Sequence, residues 1–518
     1  MYTIEAMASR PIRFFHRGEI VAVEPAATTR TVLEWLREEA RCTGTKEGCN
    51  EGDCGACTVV VADLAPDGCD AEDVVAGLRL RTANACLQFL PTLDGKALFT
   101  VEDLQGAEGA LHPVQQAMVA CHGSQCGFCT PGFVMSLWAT YQHHGARGTR
   151  PSRQQIADEL SGNLCRCTGY RPILDAGERM FDLAAAPLDA APVVAALTSL
   201  RDAAPLRSVG ANGAEFIAPR TLDDFAAALL TRPDSRILAG STDIGLWVNK
   251  MFRDLPRLVY IGAVDELKRI DERDGVLSIG AGASLEDAWR ALVARWPTLA
   301  EMWLRFAGMP LRHTGTMGGN VANGSPIGDS APVLMALDAS LVLRRGEATR
   351  RVRLADFYTG YMKNLLAPSE FVQAIEVPLA SRATLRAYKI SKRFDCDISA
   401  VCAGLAIELD ADGTVAAARL AFGGMAATVQ RAARAEAALV GAAWDEAVVT
   451  AAQAALAGDF VPLTDMRASA AYRLQVAQNL LRRFWLETRT NAPLAADESS
   501  VWSAMAHVLP TPRAEATP

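Results

Sequence analysis

The chain has 518 residues, 50% of them hydrophobic and 21% charged, and a formal net charge of −8. That length exceeds what one core usually supports, so three or four domains are expected, and no uncharged apolar run is long enough to span a bilayer. The acidic balance, without a basic stripe among aromatics, argues against nucleic acid as a partner, and the opening "MYTIEAMASRPIRFF" lacks the order of a secretory signal, so a cytoplasmic location is expected.

Eleven of the 13 cysteines precede residue 170. A chain this long does not need disulfides, and clustered cysteines then read as metal ligands or redox groups. In chain order, "IRFFHRGEIVAVEP" alternates about His16-Arg17-Gly18 and predicts a hairpin, while "TTRTVLEWLREE" sets Val32, Trp35 and Leu36 at helical spacing behind threonine caps. The next stretch, "CNEGDCGACTVVV", packs three cysteines into nine residues. Cys49-x4-Cys54-x2-Cys57 is the plant-type spacing of a 2Fe-2S cluster, unlike the paired C-x2-4-C of a zinc site. Its glycines supply the backbone angles that turn N–H groups inward to sulfur. Cys86, in "RTANACLQFL", is the candidate fourth thiolate.

From about 100 to 180 apolar residues recur at three and four, which predicts helices, with Pro131 and Pro172 in tolerated first-turn positions. Two further pairs stand there, Cys126 and Cys129 in "SQCGFCTPG" and Cys165 and Cys167 in "GNLCRCTGYRP". By ligand type these could hold zinc, although a Cys-x-Cys pair is cramped for it. Helix N-termini after each pair would offer N–H groups to an anionic cluster, which favours a second iron–sulfur centre. Cys42, Cys69, Cys121, Cys396 and Cys402 read as buried or incidental thiols. The Ala- and Pro-rich stretch "LAAAPLDAAPVVAALTSLRDAAP" reads as an ordered-to-mobile linker over 183–206.

Beyond it, short strands, helices and glycine loops alternate. "LAGSTDIGLWVNK" (238–250) and "GTMGGNVANGSPIGDSAPV" (315–333) could bring N–H groups against a pyrophosphate, yet neither is a GxGxxG after a Rossmann strand, and each singly reads equally as a turn. From about 384 to 490, strand-like "ISAVCAGLAIELD" and "VAAARLAFGGM" precede two helical stretches, suggesting strands with helices on one face, before a loose tail.

Taken together, "CNEGDCGACTV", "NACL", "QCGFCTPG" and "NLCRCTGYRPI" resemble the signature stretches of the molybdenum hydroxylase family, in the order found in xanthine dehydrogenases, and the resemblance covers roughly residues 11–490. It implies a multidomain α+β chain: a β-grasp ferredoxin-like 2Fe-2S domain (11–98), a helical-bundle 2Fe-2S domain (99–182), the linker (183–206), a vanillyl-alcohol-oxidase-type FAD domain (207–381), a flavoprotein C-terminal α+β domain (382–490) and a tail (491–518). It further implies Cys49, Cys54, Cys57 and Cys86 on one cluster and Cys126, Cys129, Cys165 and Cys167 on the other. For FAD it implies that Leu238, Ala239, Gly240, Ser241, Thr242, Asp243, Ile244 and Gly245 wrap the phosphates, with Ser241 and Thr242 as hydroxyl donors. Phe306, Thr316, Gly319, Asn320 and Asp329 fall at flavin and ribityl-adenosine contacts, and Val372 and Lys389 lie near the cofactor. By itself Lys389 reads as a solvated surface lysine, and Tyr361 reads equally as an aromatic gate or a packed core tyrosine. Phe394-Asp395-Cys396-Asp397 stands where many relatives carry an acidic run, a departure that bears on pyridine-nucleotide recognition.

The expected activity is the electron-transfer half of a purine-oxidising enzyme, with two 2Fe-2S clusters, FAD and NAD as acceptor. The resemblance stops short of a molybdopterin domain, for which 518 residues leave no room after three cofactor domains, so the chain resembles a small subunit. Its expected partner is a large molybdopterin-binding subunit, as a heterodimer or dimer of heterodimers, and no catalytic residue is assigned in this chain because the family places the base in the partner. The alternatives are the same half of an aldehyde or N-heterocycle oxidoreductase and a zinc-stabilised scaffold without catalysis.

Overall fold

Apolar residues alternating about the Arg17-Gly18 turn give the first hairpin, β1 (Ile12–His16) with β2 (Glu19–Val23), paired antiparallel from Ile12–Val23 to His16–Glu19. The computed structural model describes residues 8–24, 27–66, 68–201 and 204–499. The chain packs as two units: one runs to Asp265 and takes back Ala307–Gly315, and the other holds Glu266–Phe306 and the chain from Thr316 onward. No helix among the described residues is long and apolar enough to cross a membrane.

In the first unit α1 (Val32–Glu38) starts at a capping box in which Thr31 and Glu34 satisfy each other's backbone N–H groups. It buries Val32, Leu33, Trp35 and Leu36, with Trp35 edge-on to Phe14 at 5.0 Å. After the cysteine loop come β3 (Thr58–Leu64), β4 (Val74–Val75), β5 (Leu78–Asn84) and β6 (Ala97–Phe99), forming a sheet in the order β2-β1-β6-β3-β5-β4. β1 and β6 run parallel, and the other pairings are antiparallel. Period-two geometry sends neighbouring side chains of β3 to different cores: Val59 packs with α1, whereas Val60 and Ala62 pack against the helices that follow.

Those helices are α2 (Pro113–Ala120), α3 (Thr130–Arg147), α4 (Arg153–Glu159) and α5 (Arg171–Arg179), with Pro131 and Pro172 in first turns. α3 lies directly on the sheet, and Phe133, Met135, Leu137 and Trp138 share one core with Val60, Leu78 and Leu80. The two cysteine-bearing regions are therefore halves of one packed body. The contact is tight enough to need glycine on both sides: a Cβ on Gly132 would sit 2.2 Å from Gly55 O, and one on Gly55 would sit 2.2 Å from Gly162 O.

Within the stretch expected to be an ordered-to-mobile linker over 183–206, residues 191–201 form α6 (Ala191–Arg201), whose Val193, Leu197 and Leu200 are buried in that same core. Apolar residues at helical spacing outweigh its Ala/Pro composition. Next come β7 (Leu206–Val209), β8 (Glu215–Ala218), α7 (Leu222–Thr231), β9 (Arg236–Leu238), α8 (Ile244–Asn249) and β10 (Arg257–Tyr260), with sheet order β7-β8-β10-β9. Leu206, Phe216, Leu238 and Leu258 join the core under α1, which is why this segment belongs to the first unit.

The second unit begins with β11 (Ile270–Arg273), β12 (Val276–Gly280), α9 (Leu285–Arg295) and α10 (Ala300–Arg305). The returning α11 (Met309–Thr314) belongs to the first unit. Then follow α12 (Met317–Asn323), α13 (Ser330–Ala336), β13 (Ser340–Arg345), β14 (Ala348–Arg353), the small pair β15 (Tyr358–Gly360) and β16 (Lys363–Asn364), and β17 (Phe371–Pro378). The five-stranded sheet is ordered β11-β12-β17-β13-β14, and residues 207–381 contribute to both units.

A last sheet holds β18 (Thr384–Ile390), β19 (Val401–Leu409), β20 (Val415–Gly423) and β21 (Gln430–Arg431), followed by α14 (Ala433–Leu439), α15 (Glu446–Asp459) and α16 (Ala470–Thr488). Helices on one face were expected; both faces are covered. Val401, Ala403 and Leu405 pack with α14 to α16, while the alternate residue Gly404 lies against α13, where a Cβ would come 2.4 Å from Pro332 O. The tail expected over 491–518 lies outside the described residues from 500 on, and its start holds α17 (Ala496–Ser499).

Gly132→Ala is expected to force α3 off the cysteine loop and cost roughly 1–3 kcal/mol, the usual range for overpacking. A lower urea midpoint for the first unit, followed by near-ultraviolet circular dichroism, checks this.

Candidate functional site

The loop 42–57 carries the first thiol set. Its backbone turns back on itself, with Asn50, Gly52 and Gly55 at positive φ, so that the N–H groups of Asp53 and Cys54 both donate to Cys49 Sγ at 3.4 Å. The four thiols stand in two facing pairs, Cys49 with Cys54 and Cys57 with Cys86. The Cys54 thiol donates to Cys49 and, against burial, lowers Cys49 to about 5, while donating that bond and being half-buried push Cys54 up. The second pair behaves alike: Cys86 donates to Cys57, lowering Cys57 and raising Cys86. Cys57 and Cys86 are both buried.

The second set also pairs, Cys126 with Cys167 and Cys129 with Cys165. Cys126 and Cys129 immediately precede α3, and Cys165 and Cys167 immediately precede α5. Cys126 is lowered, first by the Phe128 N–H and then by Cys167; Cys129 is pushed up to about 12, by burial and then by Cys165. Burial acts upward on Cys165 too, but the Thr168 hydroxyl at 3.2 Å and nearby N–H groups outweigh it and lower the thiol. Cys126 and Cys167 are exposed, unlike the deeper first set.

Two hydrogen-bonding groups that the sequence reading did not single out join these loops. Asn163 donates to Gly55 O and to Thr58 Oγ1, both at 3.1 Å, and accepts from Ser136 at 2.7 Å. Leu164 N–H donates to Cys54 O at 3.0 Å. Both residues lie inside the quoted stretch "GNLCRC", and that position was the available signal. Tyr170, at φ +69, caps α5 and accepts from Cys165 N–H at 3.2 Å, the sparsely populated backbone geometry that clusters at functional sites.

Among the described residues no group of three or more His, Cys, Asp or Glu is gathered to hold a single metal ion. Four thiol pairs, two sulfurs for each iron, have the number and type of donors that two 2Fe-2S groups require, so the residues present fit them.

The segment 238–245 connects β9 to α8 in the first unit, with Leu238 fully buried. Ser241 adopts φ +61, and its Oγ is buried with no hydrogen-bond partner. An orphaned buried hydroxyl on a strained turn fits a polar ligand group such as a phosphate. In the second unit Thr316 caps α12 by accepting from Gly319 N–H at 3.1 Å, and the Asn320 amide oxygen is likewise buried and unpartnered. Phe306 packs on Trp289 at 6.0 Å, and Val372 is buried in β17.

Lys389 is a core residue rather than a solvated surface lysine. Its Nζ donates to Asp329 Oδ2 at 2.6 Å and to Ser399 at 2.8 Å, and Ser399 donates to Asp329 Oδ1 at 2.6 Å. Side-chain exposures of 2% and 4% make Lys389–Asp329 a desolvated pair. Cys402, read as a buried or incidental thiol, is buried beside it and donates to Asp329 O at 3.7 Å. Tyr361, on the turn between β15 and β16, is 66% exposed, so it is not a packed core tyrosine. The Phe394–Asp397 stretch forms an exposed turn in which Arg305 lies over the Phe394 ring at 4.5 Å.

Four family models match successive stretches: a "2Fe-2S iron-sulfur cluster binding domain" over residues 14–89, a "[2Fe-2S] binding domain" over 100–178, a "FAD binding domain in molybdopterin dehydrogenase" over 211–380 and a "CO dehydrogenase flavoprotein C-terminal domain" over 386–488. The chain is 31% identical over 535 residues to xanthine dehydrogenase of Emericella nidulans, covering 92% of this chain and 38% of that protein. It is 29% identical over 520 residues to xanthine dehydrogenase/oxidase of Gallus gallus, covering 86% and 37%. It thus spans less than two-fifths of the length of these relatives. Among solved structures, quinoline 2-oxidoreductase from Pseudomonas putida 86 superposes with a TM-score of 0.49 at 25% identity, covering 54% of this chain and 97% of that one.

Lys389→Met leaves Asp329 buried without its cation and is expected to destabilise the second unit by roughly 3–5 kcal/mol. The double variant Lys389→Met/Asp329→Asn is expected to recover part of that loss, as read from denaturant midpoints in a double-mutant cycle.

Proposed function

The chain belongs to the molybdenum hydroxylase family, as an iron–sulfur and flavin subunit, and from this premise we propose that it is the electron-transfer subunit of a xanthine dehydrogenase. In this reading Cys49, Cys54, Cys57 and Cys86 hold one 2Fe-2S centre, one thiol pair to each iron, and Cys126, Cys129, Cys165 and Cys167 hold the other. Residues 238–245 are the candidates for the FAD phosphates in the first unit, and Phe306, Thr316, Gly319, Asn320, Asp329, Val372 and Lys389 are the FAD candidates in the second. When bound, the clusters would supply one-electron transfer and the flavin would convert single electrons to a hydride, with NAD as the proposed acceptor.

The observation that carries the reading is the arrangement of eight thiols as four facing pairs on loops that Asn163 and the Leu164 N–H bind together. The xanthine dehydrogenases among the relatives support the purine assignment, hypoxanthine to xanthine and xanthine to urate, performed at a molybdopterin centre on a partner subunit. The docking face is placed at the exposed pair. Cys126 and Cys167 reach the surface, and Phe128 and Tyr170, 46% and 40% exposed, give that surface the aromatic character common at the cores of interfaces. Lys389 paired with Asp329 holds the start of α13 against β18, and a Cβ on Gly328, the residue before Asp329, would stand 3.8 Å from the unpartnered Asn320 oxygen.

Anaerobic addition of xanthine to the purified two-subunit complex is the test. The expected outcome is bleaching of the flavin and two distinct iron–sulfur signals in electron paramagnetic resonance, reversed by NAD, on a protein holding about four irons and one flavin per chain. Reduction by dithionite but not by xanthine would move the substrate to another N-heterocycle or an aldehyde. A colourless zinc protein would overturn the cluster reading.

A further inference from the structure

The helix that follows the 238–245 segment ends on the first cysteine loop, within the same unit. Asn249, the last residue of α8, donates to Cys86 O at 2.8 Å and to Asn50 Oδ1 at 3.2 Å. The next residue, Lys250, donates to Cys49 O at 2.6 Å, and its ammonium lies 3.7 Å from Glu51. Cys49 and Cys86 belong to different thiol pairs, so consecutive residues of one helix end reach both halves of the set.

An ammonium is strongly hydrated and ordinarily stays on the solvent side of such contacts. Here it is fixed on the main chain of a thiol-bearing residue, closer to the carbonyl than to the nearby carboxylate. Gly245 holds α8 down on the loop beneath: a Cβ there would meet Leu87 Cδ2 at 3.0 Å, and Gln88 donates to Gly240 O at 2.9 Å. The charge is thus placed by packing between two segments rather than by a flexible surface side chain alone.

A 2Fe-2S centre with four thiolates carries negative charge, and reduction adds one more. A cation held beside it favours the reduced form, and net charge and hydrogen bonding are among the factors that set such potentials. We propose that Lys250, carried by the flavin-loop helix, is a positioning residue that raises the reduction potential of the centre at Cys49, Cys54, Cys57 and Cys86. The inference rests on the cluster assignment given above. Glu51 offsets part of the charge, and the Lys250 side chain is 42% exposed, so the effect is modest and screened by salt.

The test is a redox titration of the intact two-subunit complex, wild type, Lys250→Met and Lys250→Arg, with both iron–sulfur signals followed by electron paramagnetic resonance. For Lys250→Met, the reduced-to-oxidised ratio of the ferredoxin-like centre at the wild-type midpoint is expected to fall about threefold, a downward shift of about 28 mV for one electron. The midpoint of the helical-domain centre stays in place, Lys250→Arg restores the wild-type value, and the difference narrows at molar salt. An unmoved midpoint in Lys250→Met, or equal shifts in both centres, overturns the assignment of Lys250. Absence of a ferredoxin-type signal from the wild type overturns the cluster reading instead.

Discussion

The first unit depends on a direct approach of backbone to backbone. Gly55 O lies where a side chain on Gly132 would have to stand, and the same oxygen accepts from the Asn163 amide. Asn163 is buried, and its two donated bonds and one accepted bond leave little of its polar capacity unmet; removing one partner from such a group costs roughly 1–3 kcal/mol. Because Leu164, its neighbour, donates to Cys54 O, the spacing of the two thiol sets is set by main-chain hydrogen bonds and a shared core. Main-chain groups and a short buried amide are the kind of support a multi-residue site needs to hold its geometry.

Within that frame the thiols differ by environment. In each pair of the first set one sulfur is lowered and its partner raised, because a single proton shared between them stabilises one thiolate and opposes the second. Metal binding removes that competition, since the ligand is the thiolate and its proton is released. Cys57 and Cys86 of the first set are enclosed by the sheet, α1 and the β7–β10 segment, with Cys49 and Cys54 half-buried, and the second set reaches the surface through Cys126 and Cys167. The first set is thereby the less exposed of the two, since only the second has exposed thiols.

The second unit is organised around a different constraint, a buried ion pair that must remain whole. Lys389 comes from β18, Ser399 from the stretch just before β19 and Asp329 from the start of α13, 60 to 70 positions earlier, so two stretches distant in sequence meet at one carboxylate. Burying charge is tolerated there because both carboxylate oxygens and the ammonium are hydrogen-bonded. Gly404 allows α13 to press onto β19 opposite the α14–α16 core, and this second covered face is what carries Asp329 to Lys389.

Local chemistry was legible from the sequence. The His16-Arg17-Gly18 hairpin, the Thr31 cap, the first-turn prolines and the helices following each cysteine pair depend on residues a few positions apart, and the structure has all of them. Burial was not legible, because it depends on what lies opposite. Lys389 read as a surface residue until Asp329, 60 positions away, was placed against it; 183–206 read as a linker until Val193, Leu197 and Leu200 met the helical core. The spacing of cysteines in one loop constrains a donor set by covalent reach alone, and that much the sequence determined by itself. The pairing of Cys57 with Cys86, the seat of Lys250 on Cys49 O and the division of 207–381 between two units required the tertiary structure, since each arises from packing between segments whose contact no local pattern encodes.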